Sequence, residues 1–134
     1  MRSVLSLVAP ALAVLAALAA APAAAASLST HVLHLARGTG GTGVPVVLER
    51  QAAASWERVA TATTDANGRV RDFPAAPEVA PGIYRLRFGM TAYPAPGSQP
   101  FFPEIVVVFR VGEAAHYHVP VVVSPYGYST YRGN

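Results

Sequence analysis

The sequence predicts a small all-β sandwich of antiparallel sheets, preceded by a segment for export. Short β-branched and aromatic runs recur through residues 27–134, and clusters of Gly, Pro, Asn and Asp separate them. A single stretch, residues 89–95, is open to a helix, and Pro94 and Pro96 limit it to a turn or two because interior proline removes a donor and clashes with the preceding turn. The chain of 134 residues suits one domain. Its 52% apolar content is unevenly distributed: residues 1–26 hold 21 apolar residues, 12 of them Ala, whereas the following 108 residues are of ordinary globular composition.

The first element is an address. Met1 and Arg2 give a basic start, an apolar run follows from Val4 to Leu18, and small residues lead to Ala24-Ala-Ala-Ser27. That order is that of a secretory signal peptide over residues 1–26 with a cut near Ala26, leaving a periplasmic or secreted mature chain that is not held at the membrane. A membrane anchor is the alternative, since about 20 apolar residues span a bilayer. It is disfavoured because Ala is weakly lipophilic and no positive cluster follows the run.

Strands then follow in order. A first begins at Leu28. A second, over residues 44–49, follows the glycine-rich turn of residues 38–43, and a third covers residues 56–63. Asp65-Ala-Asn-Gly68 is a strong turn signal before a strand over residues 69–73. Residues 82–88 alternate Ile83, Arg85 and Arg87 with Tyr84, Leu86 and Phe88, one face basic and the other apolar. Residues 104–111 form a nearly continuous apolar run, suited to a strand covered on both faces. Residues 116–123 alternate again, and Ser124-Pro-Tyr-Gly127 turns the chain into a last strand near residues 128–132.

Composition excludes several function classes. The mature chain carries 9 Arg, no Lys and 7 Asp plus Glu, a net charge of +2 without the concentrated basic patch of a nucleic-acid binder. Without Cys there is neither thiol chemistry nor a disulfide, so stability rests on the core or on assembly. No Ser stands in a G-x-S-x-G setting, and the glycine loop lacks the Gly-Lys-Ser/Thr ending of a phosphate cradle.

Histidine is the residue that stands out, as His31, His34, His116 and His118. On a strand His116 and His118 share one face, while Tyr117, Val119, Val121 and Val123 share the other and belong to the core. Alternation by itself is met by solvated or hydrogen-bonded histidines. Catalysis is one functional reading; zinc is another, weakened by the absence of Cys or a clear carboxylate partner.

Read together, the local strings are similar to those of the transthyretin-like family. Leu28-Ser-Thr-His-Val-Leu33, Gly43-Val-Pro-Val-Val-Leu48, Thr64-Asp-Ala-Asn-Gly-Arg69, Phe101-Phe-Pro-Glu-Ile105 and His116-Tyr-His-Val-Pro120 occur in the family's order. The terminus Ser124-Pro-Tyr-Gly-Tyr-Ser-Thr-Tyr-Arg-Gly-Asn134 resembles the Tyr-Arg-Gly-Ser ending of its enzymatic branch. The resemblance implies two four-stranded antiparallel sheets, one short helix, a homotetramer with sites in a central channel, and hydrolysis of 5-hydroxyisourate without metal or organic cofactor. Carried over by position, it implies His31, Arg69 and His118 as catalytic residues. It also implies His31, Arg69, Tyr131 and Arg132 as residues that bind the substrate. A neutral imidazole suits proton transfer near neutral pH, and an Arg fork suits urate-like oxygens and a developing oxyanion. A non-enzymatic family member that carries a planar small molecule is the alternative. Three departures stand out: Asn134 in place of the usual Ser, His34 where Asp is common, and the two prolines in the helix segment.

Overall fold

The computed structural model describes residues 25–134, so the predicted leader lies outside the described residues except for its last two positions. Nine strands follow: β1 (Ser27–His34), β2 (Thr39–Gly40), β3 (Pro45–Ala52), β4 (Ser55–Thr63), β5 (Arg69–Val70), β6 (Gly82–Gly89), β7 (Glu104–Val111), β8 (His116–Ser124) and β9 (Gly127–Thr130). They form two sheets, one ordered β2-β1-β8-β9 with β5 also paired to β1, the other ordered β4-β3-β6-β7. The facing sides bury Val32, Val46, Leu48, Leu86, Phe88 and Val121, each at most 1% exposed. Each such side chain contributes on the order of 1.5–3 kcal/mol of hydrophobic stabilisation. Ahead of β1, Ala26 is already in this core at 2% exposure and is paired with Val79.

Four expectations are corrected. The first sheet is mixed, because β1 and β8 run parallel. Alternation reports which face a side chain takes, never strand direction, and a parallel pair only requires a long connection, here the whole of the second sheet. Among the described residues there is no helix: residues 91–97 lie in turns and bends, with isolated turn bonds from Tyr93 N–H to the Met90 carbonyl and from Ser98 N–H to the Ala95 carbonyl. Pro94 and Pro96 supply no N–H to extend them, and the residue before a proline is pushed out of helical conformation. The strand predicted over residues 69–73 shortens to Arg69–Val70, although Phe73 remains in the core at 1% exposure. Finally, β7 is covered on one face only. Val106 and Val108 are 38% and 57% exposed, because β7 is an edge strand with no layer over its outer side.

The turn before β5 forms as the sequence predicts. One Asp65 carboxylate oxygen accepts the N–H groups of Asn67 (2.8 Å) and Arg69 (2.9 Å). These bonds, Arg69 N–H first, hold the Asp65 carboxyl below the usual carboxylate range. Gly68 sits at φ +77°, and a Cβ there would collide with the Val32 carbonyl oxygen. Only glycine lets this turn lie against β1, and that contact delivers Arg69 to its place.

Candidate active site on the outer face of the first sheet

Strand alternation sends Thr30 and Val32 inward and Ser27, Ser29 and His31 outward along β1. Ser29 keeps only 8% exposure because neighbours on the outer face cover it. The parallel register sets Ser27 beside His116 and Ser29 beside His118, and the antiparallel pairing of β5 sets Arg69 beside His31. Residues directly opposite across a ladder share a face, so serine, histidine and arginine form one row over three strands.

The hydrogen bonds within this row are short and specific. Ser29 Oγ lies 2.7 Å from His118 Nδ1 and 2.7 Å from His116 Nε2, and Ser27 Oγ lies 2.7 Å from His116 Nδ1. His31 Nε2 donates to the Asn67 carbonyl at 2.9 Å. A carbonyl only accepts, so Nε2 carries the proton and Nδ1 keeps the lone pair of the neutral ring. Burial pushes the His118 imidazole below its ordinary 6.5, and the charges of Arg69, His31 and His116 push the same way. His31 is also lowered, first by burial and then by Arg69, against the Asn67 bond and Asp65, which raise it. Both rings are therefore neutral, proton-accepting groups near pH 7.

The C-terminal tail closes the site. Beyond β9 it returns to β8, where Gly133 N–H donates to the His118 carbonyl at 2.8 Å. A Cβ on Gly133 would sit 2.5 Å from His118 Cδ2, so the backbone approaches the imidazole as only glycine permits. Asn134 then lines a cavity of about 250 Å³ together with Ser29, Arg69, Arg71, His116 and His118. Among the described residues Arg69 has no carboxylate within ion-pair distance, whereas Arg71 lies 3.8 Å from Asp65. No group of three or more His, Asp or Glu side chains among the described residues is placed to hold a metal ion.

Of the residues singled out in the sequence, Arg69 and His118 line this cavity together, and His31 stands beside Arg69 on the same face without being part of the lining. Tyr131 and Arg132 do not join them within one chain. They line a separate cavity of about 200 Å³ with Val107 and Val108, and the Arg132 guanidinium lies 4.7 Å from the Tyr117 ring centre, where it fastens the tail to β8. His34 has no part in the site: its ring packs on Tyr93 at 5.6 Å, and its Nδ1 is buried without a hydrogen-bond partner among the described residues. Sequence reasoning missed Ser29, and it carried Gly133 only as one position of the terminal signature, without its contact to His118. The signal for Ser29 was its place two residues before His31, hence on the same face; nothing local marks Gly133 as the contact to His118.

A family model described as the HIUase/Transthyretin family matches residues 28–133. The chain belongs to this family. A 5-hydroxyisourate hydrolase from Salmonella dublin is 43% identical over 94 residues, covering 69% of each chain. One from Caulobacter vibrioides is 42% identical over 105 residues, 74% of this chain and 90% of the relative. Among solved structures, Klebsiella pneumoniae 5-hydroxyisourate hydrolase superposes with a TM-score of 0.69 at 37% identity, over 81% of this chain and 99% of the other. Sea bream transthyretin in complex with thyroxine superposes with a TM-score of 0.67 at 27% identity, over 79% of this chain and 93% of the other. The family thus joins proteins named as hydrolases and a protein found in complex with thyroxine on one fold, and the residues of the site have to tell them apart.

Proposed function

We propose that this protein hydrolyses 5-hydroxyisourate to 2-oxo-4-hydroxy-4-carboxy-5-ureidoimidazoline, the opening of a cyclic amide in urate breakdown. The observation that carries the reading is the convergence of two imidazoles held neutral with a guanidinium free of carboxylates. His118 takes a proton from water as the water attacks the ring carbonyl. His31, its Nε2 tied to Asn67, offers Nδ1 to orient that water. Arg69 receives the charge that builds on the carbonyl oxygen, which a fixed cation does without reorganising. Tyr131 and Arg132 shape the tail that carries Gly133 and Asn134 to the site. The test is direct: 5-hydroxyisourate made fresh from urate by urate oxidase should lose its near-ultraviolet absorbance faster with the protein than without it. No acceleration at micromolar protein would overturn the hydrolase and leave the carrier of a planar ligand as the better reading.

Export and assembly belong to the same proposal. The leader over residues 1–26 directs the chain out of the cytoplasm, with a cut near Ala26. N-terminal sequencing of exported protein should return Ser27 or a residue close to it; Met1 would refute processing. Homotetramer formation is supported by two of the edge strands, β7 and β9, which expose Val106, Val108 and Tyr128. Unpaired apolar edges invite a second chain. Sedimentation of the mature chain should give a tetramer, and Val108→Arg should give smaller species.

A further inference from the structure

Ser29 is 92% buried between two imidazoles, and the proposed reaction uses only one of them. The four groups Ser27 Oγ, His116, Ser29 Oγ and His118 form an unbroken line in which each contact is 2.7 Å. The line enters His116 through Nδ1, leaves it through Nε2, and reaches His118 at Nδ1, leaving His118 Nε2 as the nitrogen available to the cavity. His116 is at the exposed end and His118 at the enclosed end.

A hydroxyl between two imidazoles permits two ordered arrangements. In the first, His118 Nδ1–H donates to Ser29, the Ser29 hydroxyl donates to His116 Nε2, and His116 Nδ1–H donates to Ser27; His118 Nε2 then carries a lone pair and is a base. In the second, every donor is reversed, and His118 Nε2–H is an acid. We infer that Ser29 and His116 form a proton relay that lets His118 serve first as base and then as acid without keeping a positive charge.

The proton balance closes. When His118 Nε2 takes a proton from the attacking water, the Nδ1 proton passes to Ser29 Oγ. The Ser29 hydroxyl proton passes to His116 Nε2, and the His116 Nδ1 proton leaves through Ser27 to solvent. His118 is now neutral with Nε2–H, able to protonate the leaving nitrogen as the ring C–N bond breaks. A proton re-entering at His116 Nδ1 restores the first arrangement. Water thus supplies its oxygen to the carbonyl carbon and one proton to solvent, and solvent returns the proton that the leaving nitrogen consumed. The surroundings favour this route over a lasting imidazolium. His118 is faced by Arg69 from β5, by His31 from β1, by His116 from its own strand, and by the Gly133–Asn134 backbone, with Arg71 on the cavity wall. Among the described residues no side-chain carboxylate lies within ion-pair distance of His118 to hold a positive charge in place, and the one anionic group on the cavity wall is the Asn134 main-chain carboxylate. Ser29 and His116 are positioning residues, since they act through His118.

This inference rests on the hydrolase reading, and its test has a readout independent of it. Long-range proton–nitrogen spectra of histidine side chains should show His116 and His118 in coupled tautomers in the wild-type protein, the protonated nitrogen of one ring fixing that of the other through the Ser29 hydroxyl. In Ser29→Ala this tautomer coupling should vanish, while Ser29→Thr restores it. In turnover, Ser29→Ala and His116→Phe should each lower kcat on the order of 10-fold with KM little changed, less than the ~100-fold expected for a lost proton-transfer group. The rate in mixtures of light and heavy water should change from curved, with several protons in motion, to linear. Unaltered coupling and an unaltered curve in Ser29→Ala would overturn the relay. A wild-type protein without hydrolase activity would refute the proposed function, and the spectra would still decide whether the two histidines communicate through Ser29.

Discussion

The outer faces of the two sheets both carry charged or titratable side chains on alternating strands, yet they are wired in opposite ways. On the second sheet, Glu49 is 7% exposed and lies between Arg85, to which it is ion-paired, and Arg87 at 3.3 Å. Arg87 reaches on to Glu104 at 2.7 Å, and the Trp56 ring covers Arg85 at 4.4 Å. These bonds, Arg85 first, hold the Glu49 carboxyl below its ordinary range. On the first sheet Arg69 stands beside two histidines, and among the described residues its guanidinium has no carboxylate within ion-pair distance. A cation already neutralised belongs to the fold, whereas one left among desolvated imidazoles has its charge available to an anionic substrate.

Substitution of matching residues on the two faces tests this contrast most strongly. Arg69→Ala should lower kcat/KM by about 100-fold or more, the scale of a lost oxyanion group, while Arg85→Ala should leave kcat/KM near the wild-type value and lower Tm instead. Equal effects in steady-state kinetics would abolish the distinction. Gly133→Ala comes next, because its methyl group must displace the tail or the His118 ring. A misplacement of about 1 Å can reduce rate by up to about 100-fold, and a fall in kcat with Tm nearly unchanged would localise the damage.

Glu49→Ala should destabilise by about 1–2 kcal/mol, as it removes charged hydrogen bonds to two arginines, with kcat/KM unchanged in the native fraction. Denaturant titration measures the loss. Because the Glu49 carboxyl is held low, its contribution is complete above the ordinary carboxylate value of about 4.3 and disappears as pH falls through the lower folded value. The histidines of the first face have the same sign for a different reason. His31 and His118 are lowered as bases; the unfolded chain therefore binds protons near pH 6.5 that the folded chain binds only at lower pH. Their share of stability is complete above about 6.5 and declines below it. The acid limb of kcat/KM should fall below pH 6.5 as well, and replacing the Arg69 cation should move the titration of both rings upward. Side-chain nitrogen spectra across that range would detect it as the smallest of these effects.

Much of both faces was legible in the sequence. Alternation placed Arg85 and Arg87 opposite Tyr84, Leu86 and Phe88, and it placed His116 and His118 opposite the buried Tyr117, Val119 and Val121. The Asp65–Gly68 turn was readable because its carboxylate and its glycine act within five residues. The ion pairs of Glu49 were not, for they depend on β3 lying beside β6, and the half-exposed side of β7 was not, because a run of valines reads alike on an edge strand and in a sheet interior. Tyr131 and Arg132 came forward with the terminal signature, and the path of the tail separates them from the cavity that Gly133 and Asn134 reach.

The sequence by itself determined what is local: most strands and their inward faces, the Asp65 turn, and the presence of two histidine pairs and Arg69. Tertiary structure decided what depends on distant partners. The parallel alignment of β1 and β8 joins Ser29 to His118 across 89 positions of chain, the packing of the Gly68 turn on β1 brings Arg69 to His31, and the returning tail sets Gly133 against the His118 ring. Periodicity encodes a face within one strand; register between strands is set by how whole side-chain layers interlock in the core, and a slip of one residue would turn Ser29 away from both imidazoles.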